Sequence, residues 1–153
     1  MKKVLKKIAL LFIILALAGI IFFFTYANSL KGVNPITVKY YEQLKTELIK
    51  QGYKPKLTVI SGKRTHWFNK ILTRFGGAAT KSQHLDGNAI DIFVRDINQD
   101  GTMNEMDVDI VSKILEEIIG NKGGIGTYKH ENYIWNQQMV HFDCRGHKAR
   151  WNR

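Results

Sequence analysis

The chain has 153 residues, with 23 Lys+Arg against 13 Asp+Glu, a formal net charge of +10 and a single cysteine, Cys144. One cysteine excludes a disulfide framework, so the fold has to rest on a core, on bound metal, or on both. The basic balance suits anionic partners, but no lysine/arginine run with interleaved aromatics marks a nucleic-acid groove, and no nucleic acid is expected as a partner.

Residues 1–7 hold four lysines, and Ile8 to Phe24 follow without a charge or an amide. This pattern is a secretion or anchoring signal, assigned to residues 1–27. Thr25-x-Ala27 suits cleavage as a signal peptide, whereas the length and the bulky Phe22-Phe23-Phe24 end favour a retained signal-anchor. Either way the lysines stay in the cytoplasm, and the rest is extracytoplasmic, membrane-anchored or secreted. Residues 28–35, broken by Gly32 and Pro35, read as a short tether. Residues 36–153 then form one domain, long enough for a real core and expected as a monomer.

Val38, Tyr41, Leu44 and Leu48 recur at helical spacing within Thr37–Gln51, with Gly52 as the stop. Lys56–Ile60 alternates and is β-branched, which predicts a strand ending at Ser61-Gly62. Thr65 caps a second helix whose stripe Trp67, Phe68, Ile71, Leu72 and Phe75 runs to Gly76-Gly77. That aromatic pair is read as core, with a substrate platform as the alternative. Asn88–Val94 is a second strand, and Asp91 in its middle needs a partner, because a buried lone carboxylate is costly. Val108–Ile119 is a third amphipathic helix. Ile125–Tyr128, Tyr133–Trp135 and Met139–Phe142 are short strand-like pieces of a meander, and Cys144 reads as a small buried side chain. The fold class is α+β, with helices packed on a small, mainly antiparallel sheet.

A hydrolytic zinc site needs three protein ligands of the His/Asp/Glu/Cys kind and a position left open. His84 and Asp91 are joined by the turn residues Asp86-Gly87-Asn88, and His141 lies on the last strand-like piece with Asp143 on the same side. Here the sequence resembles a known family. Ser82-Gln83-His84-Leu85-Asp86-Gly87-Asn88-Ala89-Ile90-Asp91 matches the Ser-x-His-x-x-Gly-x-Ala-x-Asp pattern of the M15 zinc D-Ala-D-Ala carboxypeptidases and endopeptidases. Ser61-Gly62-Lys63-Arg64, Gly76-Gly77-Ala78 and Val140-His141-Phe142-Asp143 resemble further family segments. Arg145-Gly146 and Arg150-Trp151 are similar to the ending of a small exported branch.

The resemblance implies that His84, Asp91 and His141 bind zinc and that Arg64 contacts a substrate carboxylate or the transition state. Ser82 then steadies the His84 loop. Many relatives carry a Glu three residues before the last histidine ligand, where it acts as general base. This chain has Gln138, which takes no proton at neutral pH. Asp143, His130 and Glu131 are the candidate bases.

Residues 96–107 also match an EF-hand-like loop of the dockerin type. Asp96, Asn98, Asp100, the Thr102 carbonyl, Asn104 and Asp107 fall at the oxygen-ligand positions, and Gly101 at the turn. The expected cofactors are Zn2+ and Ca2+. The expected activity is hydrolysis of D-alanine-containing stems or crosslinks in bacterial cell-wall peptide. The rivals are a non-catalytic, metal-stabilised wall-binding protein and a calcium-dependent adhesion module.

Overall fold

The structure, a computed structural model, describes residues 2–27, 29–75, 78–129 and 138–153. The expected Gly76-Gly77 stop and the expected strand Tyr133–Trp135 lie outside the described residues.

Lys2–Ala27 forms one helix, α1. Among the described residues, no helix is long and apolar enough to cross a membrane. The described large apolar side chains of α1, such as Leu11, Phe12 and Ile14, are exposed.

Local chemistry sets where the other helices begin. Asn34 caps α2 (Pro35–Lys50) by accepting from the Ile36 amide, and Pro35 contributes the fixed φ of a helix start without an amide to leave unpaired. The helix therefore starts before the expected Thr37. α4 (Glu105–Ile119) likewise starts ahead of the expected Val108, because Asn104 and Asp107 form a reciprocal capping box. Thr65 caps α3 (His66–Arg74) as expected, accepting from the Phe68 amide.

The face that α3 buries is not the expected one. Asn69 is its buried residue and donates to the Ala79 carbonyl at 3.1 Å, while Trp67 and Phe75 are 70% and 82% exposed. The reading of the stripe's aromatics as core is corrected for Trp67 and Phe75, while Phe68 is half-buried. With Asn69 turned inward, Trp67 and Phe75 at i and i+8 are carried outward by the helical repeat.

Five strands, β1 (Leu57–Ser61), β2 (Ala89–Val94), β3 (Gly124–Tyr128), β4 (Met139–Asp143) and β5 (Ala149–Asn152), form one sheet in the order β1-β2-β4-β3-β5. The first three pairings are antiparallel and β3–β5 is parallel. The α+β class and the mainly antiparallel sheet stand, but the sheet is mixed, and β5 is a strand beyond those expected. Polar chemistry holds β5 in place. The Arg150 guanidinium donates to the carbonyls of Gly120 and Gly123 at 2.6 and 2.7 Å and pairs with Glu116 of α4.

Period-two alternation puts Ile90, Ile92, Val94, Ile125, Val140 and Phe142 on one face of the sheet. They form a single core with Leu44 and Leu48 of α2 and with Val108, Val111 and Leu115 of α4. Each fully buried side chain of this size contributes roughly 1.5–3 kcal/mol. The opposite face carries the polar residues, and the strand register aligns Ser61, Asp91, His141, Gly126 and Trp151 in one lateral row.

The 96–107 segment links β2 to α4 and is held by the chain's own donors. Asp107 is fully buried, its Oδ1 accepting from the amides of Ile97 and Asn98 and its Oδ2 from that of Asn104. Asp100 accepts from the amide and hydroxyl of Thr102, and Asp96 pairs with Lys56 at 3.0 Å.

Candidate metal centre

The row across the sheet brings strand and loop residues together. Asp91 and His141 are direct cross-strand partners on β2 and β4. His84 comes from the turn preceding β2, where its carbonyl accepts from the amides of Arg64 and Gly87, and the Asn88 amide returns to Gln83. Ser82 Oγ accepts from the His84 amide at 3.4 Å, a contact that steadies this loop. The start of α2 grips the same turn through Asn34, which donates to Asn88 Oδ1, and Thr37, which donates to the Asn88 carbonyl. Gly87 has φ +74°, and a Cβ there would lie 2.4 Å from the Gly32 carbonyl oxygen, so only glycine closes the turn.

His84, Asp91 and His141 are all buried and are the one group of three or more His, Cys, Asp or Glu side chains, among the described residues, placed to hold a metal ion. His84 Nε2 lies 3.3 Å from His141 Nδ1 and 3.1 Å from Asp91 Oδ2, and His141 Nδ1 lies 2.7 Å from Asp91 Oδ1. A tetrahedral zinc with bonds of about 2.0–2.1 Å spaces its donors about 3.3 Å apart, so this triangle closes on such an ion after a small expansion. Two neutral imidazoles and one carboxylate are also the donor types zinc takes.

Hydrogen bonds on the far side of each ring select the donor atom. His84 Nδ1 donates to the Gly62 carbonyl at 2.7 Å, leaving Nε2 to face the other two residues. His141 Nε2 donates to Asp143 Oδ2 at 3.0 Å, leaving Nδ1. Such partners fix tautomer and ring orientation.

Electrostatics favour a neutral His84 and an ionised Asp91, and a protonated His141 whose Nδ1 proton a metal would have to displace. Burial lowers the His84 pKa and keeps the ring neutral. Burial pushes against ionised Asp91, but the two imidazoles outweigh it and hold the carboxyl well below its usual range. Burial likewise opposes a charged His141, yet the carboxylates of Asp143 and Asp91 on either side raise its pKa.

Asp143, a candidate base from the sequence, is not at the ligand atoms. It sits behind His141 with no exposed surface, taking hydrogen bonds from Gly124 N, Arg145 N and the Arg145 guanidinium as well as from His141. Against the cost of burial, these donors hold it ionised far below the usual carboxylate range. It faces the back of the His141 ring, away from the ring nitrogen turned to Asp91 and His84. His130 and Glu131 lie outside the described residues.

Arg64 is brought to the cluster. Its Nε donates to Ser61 Oγ at 2.8 Å and its Nη2 bonds Asp91 Oδ2. Gln138 stands at the entrance to β4 with φ +59°, and its Oε1 is buried without a hydrogen-bond partner. The segment 96–107 brings no comparable cluster together among the described residues.

Two contributors were not identified from the sequence. Trp151 of β5 reaches over Gly126, and its ring centroid lies 5.1 Å from that of His141. Arg145 stacks its guanidinium 5.3 Å from the same indole while holding Asp143. The signal for both was the glycine spacing Gly124-x-Gly126, which leaves room for neighbours that reach across the strand.

A family model described as Peptidoglycan L,D-endopeptidase MepK, of the Peptidase_M15_2 group, matches residues 28–151. No curated protein matches the chain. Among solved structures, the Serratia marcescens L-Ala D-Glu endopeptidase ChiX aligns with a TM-score of 0.47 and 17% identity, over 75% of this chain and 82% of that one.

Proposed function

The chain belongs to the Peptidase_M15_2 family of peptidoglycan peptidases, and from that premise we propose that it is a zinc-dependent endopeptidase acting on the peptide stems or crosslinks of bacterial cell wall. The observation that carries this reading is the buried His84/Asp91/His141 triangle with both imidazole donor atoms preset. The family description favours cutting within a crosslink, at a bond between an L and a D centre, over release of a terminal D-alanine. The N-terminal segment 1–27 acts as signal or anchor and places the domain outside the cytoplasm.

Bound at this triangle, zinc would supply Lewis-acid polarisation of the scissile carbonyl and acidify a water. The residues of the chain do the rest. Gly62 and Asp143 keep the two imidazoles aimed, and Arg145 keeps Asp143 ionised. Arg64, beside Asp91, offers a guanidinium to a substrate carboxylate or to oxyanion charge. Gln138 takes no proton, so His130 and Glu131 are the base candidates that stay in play.

The test is purified chain loaded with zinc and given cross-linked peptidoglycan fragments bearing either L,D or D-alanine crosslinks. New amine is expected from the L,D crosslink, abolished by chelator and by His84→Ala. No chelator-sensitive amine at full zinc occupancy would replace this reading with a metal-stabilised wall-binding protein, the alternative that Gln138 favours.

Calcium binding at 96–107 is part of the same proposal. Its support is the order of oxygen-bearing residues Asp96, Asn98, Asp100, Thr102, Asn104 and Asp107 around Gly101. A calcium ion there would stiffen the connection out of β2, the strand that carries Asp91. A melting temperature unmoved by calcium at constant zinc would remove it.

A further inference from the structure

The helix that leaves the metal centre points its aromatic residues at solvent. Arg64 lies at the cluster, Thr65 caps α3, and Trp67 follows within about 11 Å of Arg64, since three virtual bonds of about 3.8 Å separate their Cα atoms. Trp67, Ile71 and Phe75 then recur at i, i+4 and i+8 along one side of the helix, about 12 Å from end to end at 1.5 Å per residue. Trp67 and Phe75 are among the most exposed large apolar side chains described. Lys70 and Arg74, three and seven residues after Trp67, lie exposed beside that ridge.

The surrounding sequence contains only one sign of charge. From Gly52 to Leu85 there is no Asp or Glu, while Lys54, Lys56, Lys63, Arg64, Lys70, Arg74 and Lys81 all fall there. Flat apolar rings interleaved with cations, without a carboxylate on the same element, complement a polymer that offers both apolar ring faces and negative charge. Exposed aromatics of this kind are a cost in solution unless they meet a partner.

We infer that the outer side of α3 is a docking platform for the anionic glycan-peptide polymer to which the scissile peptide is attached. This rests on the peptidoglycan reading above and adds to it the part of the protein that holds the polymer. Continuity decides between occupants: the ridge starts three residues from Arg64, so a polymer whose peptide reaches the metal centre passes alongside α3. Aromatic stacking and cation contacts would then add retention that a short free peptide does not gain.

The test uses the full chain, zinc-loaded, in detergent, with Trp67→Ala/Phe75→Ala and, separately, Lys70→Glu/Arg74→Glu. Both pairs are exposed, and a thermal melt checks that each folds. Sedimentation with insoluble cross-linked peptidoglycan should weaken about tenfold for either variant, the loss of one or two good contacts. KM on that polymer should rise by a similar factor, while kcat/KM on a glycan-free crosslinked peptide stays within about twofold.

Sedimentation is repeated in the His84→Ala background with chelator, so it reads the platform even if no hydrolysis occurs. Retention lost there by the α3 variants supports the platform whatever becomes of the peptidase reading. Unchanged sedimentation, or an equal fall on polymer and free peptide, would overturn it. So would slowed amide exchange over 66–75 on adding anionic lipid vesicles but not on adding peptidoglycan, which would assign the ridge to a membrane surface.

Discussion

Gly126→Ala should disturb the metal centre from a distance, through Trp151. A Cβ at residue 126 would fall 2.2 Å from Trp151 Cε2, 2.3 Å from Nε1 and 2.5 Å from Cζ2. An indole cannot bend away as the end of a flexible chain does, so the whole ring has to move. It then gives up the bond from Nε1 to Tyr128 Oη at 3.2 Å, the stack under Arg145, and the flank of His141. The hydrogen bond is worth about 1 kcal/mol, the cation–π contact about 0.5–1, and overpacking typically costs about 1–3, in terms that overlap. Together they give about 2–3 kcal/mol, or a fall in melting temperature of about 6–12 °C for a domain of this size. Zinc affinity, read by competition with a chelator, should drop about tenfold as the His141 ring loses its wall. A cycle with Trp151→Ala isolates the cause: in that background Gly126→Ala should cost under about 0.5 kcal/mol. If Gly126→Ala melts within a degree of wild type, or costs as much without the indole as with it, the reasoning fails.

Asp143→Asn should lower zinc affinity about 10–100-fold and stability by about 2–4 kcal/mol, because His141 loses its acceptor and Arg145 its buried partner; an unchanged chelator titration would show that Asp143 does not hold the ring. Asp107→Ala should cost about 2–4 kcal/mol in urea unfolding, since three backbone amides lose their acceptor at once. It should also erase any calcium-dependent rise in melting temperature, and a rise that survives would move the calcium site elsewhere. Glu116 has its pKa lowered from 4.5, first by hydrogen bonds from Arg150 and Lys148, despite some desolvation. A depressed carboxylate stabilises above its unfolded pKa and loses that contribution as pH falls through the folded value. Glu116→Gln should therefore cost about 0.5–1 kcal/mol at pH 7, a figure kept small because the group is half exposed, and progressively less as acid is added. A gap that widens in acid would contradict this.

The sequence made the buried half of the fold readable. Leu44 and Leu48, Val111 and Leu115, and the alternation through Ile90 and Ile92 follow their periods and lie in the core as expected. His84, Asp91 and His141 also come together, as a cluster that could hold a metal: an acid inside an apolar strand, beside histidines placed to reach it, has few other ways of being satisfied. What could not be read depended on contacts far apart in the chain. Asp107 serves as an N3 cap, a role the sequence alone did not separate from that of a calcium ligand, since both ask for the same side chain at the same place. Trp67 and Phe75 shared a stripe with Ile71, and the choice of inward side fell to Asn69, whose bond to Ala79 no periodicity foretells. Residues 149–152 contain two charges or amides in four and have no strand signature, because Arg150 bonds α4 and its C-terminal turn instead of burying an apolar side chain. Asp143 was readable as a base by position, and its burial behind His141 shows only once Arg145 and Gly124 are seen to close around it.

The lateral row from Ser61 to Trp151 also makes the protein unequally sensitive to kinds of genetic change. Side chains alternate between faces, so losing one residue within β2, β3 or β4 would turn every later member of that strand over, sending a ligand or its neighbour toward the greasy side and a greasy residue toward the metal. A substitution at one of these positions removes one group, whereas a deletion exchanges two whole surfaces. Single-residue deletions ahead of the row in β2 or β4, such as at Ile90 or Val140, should therefore abolish metal binding, although neither side chain takes part in it.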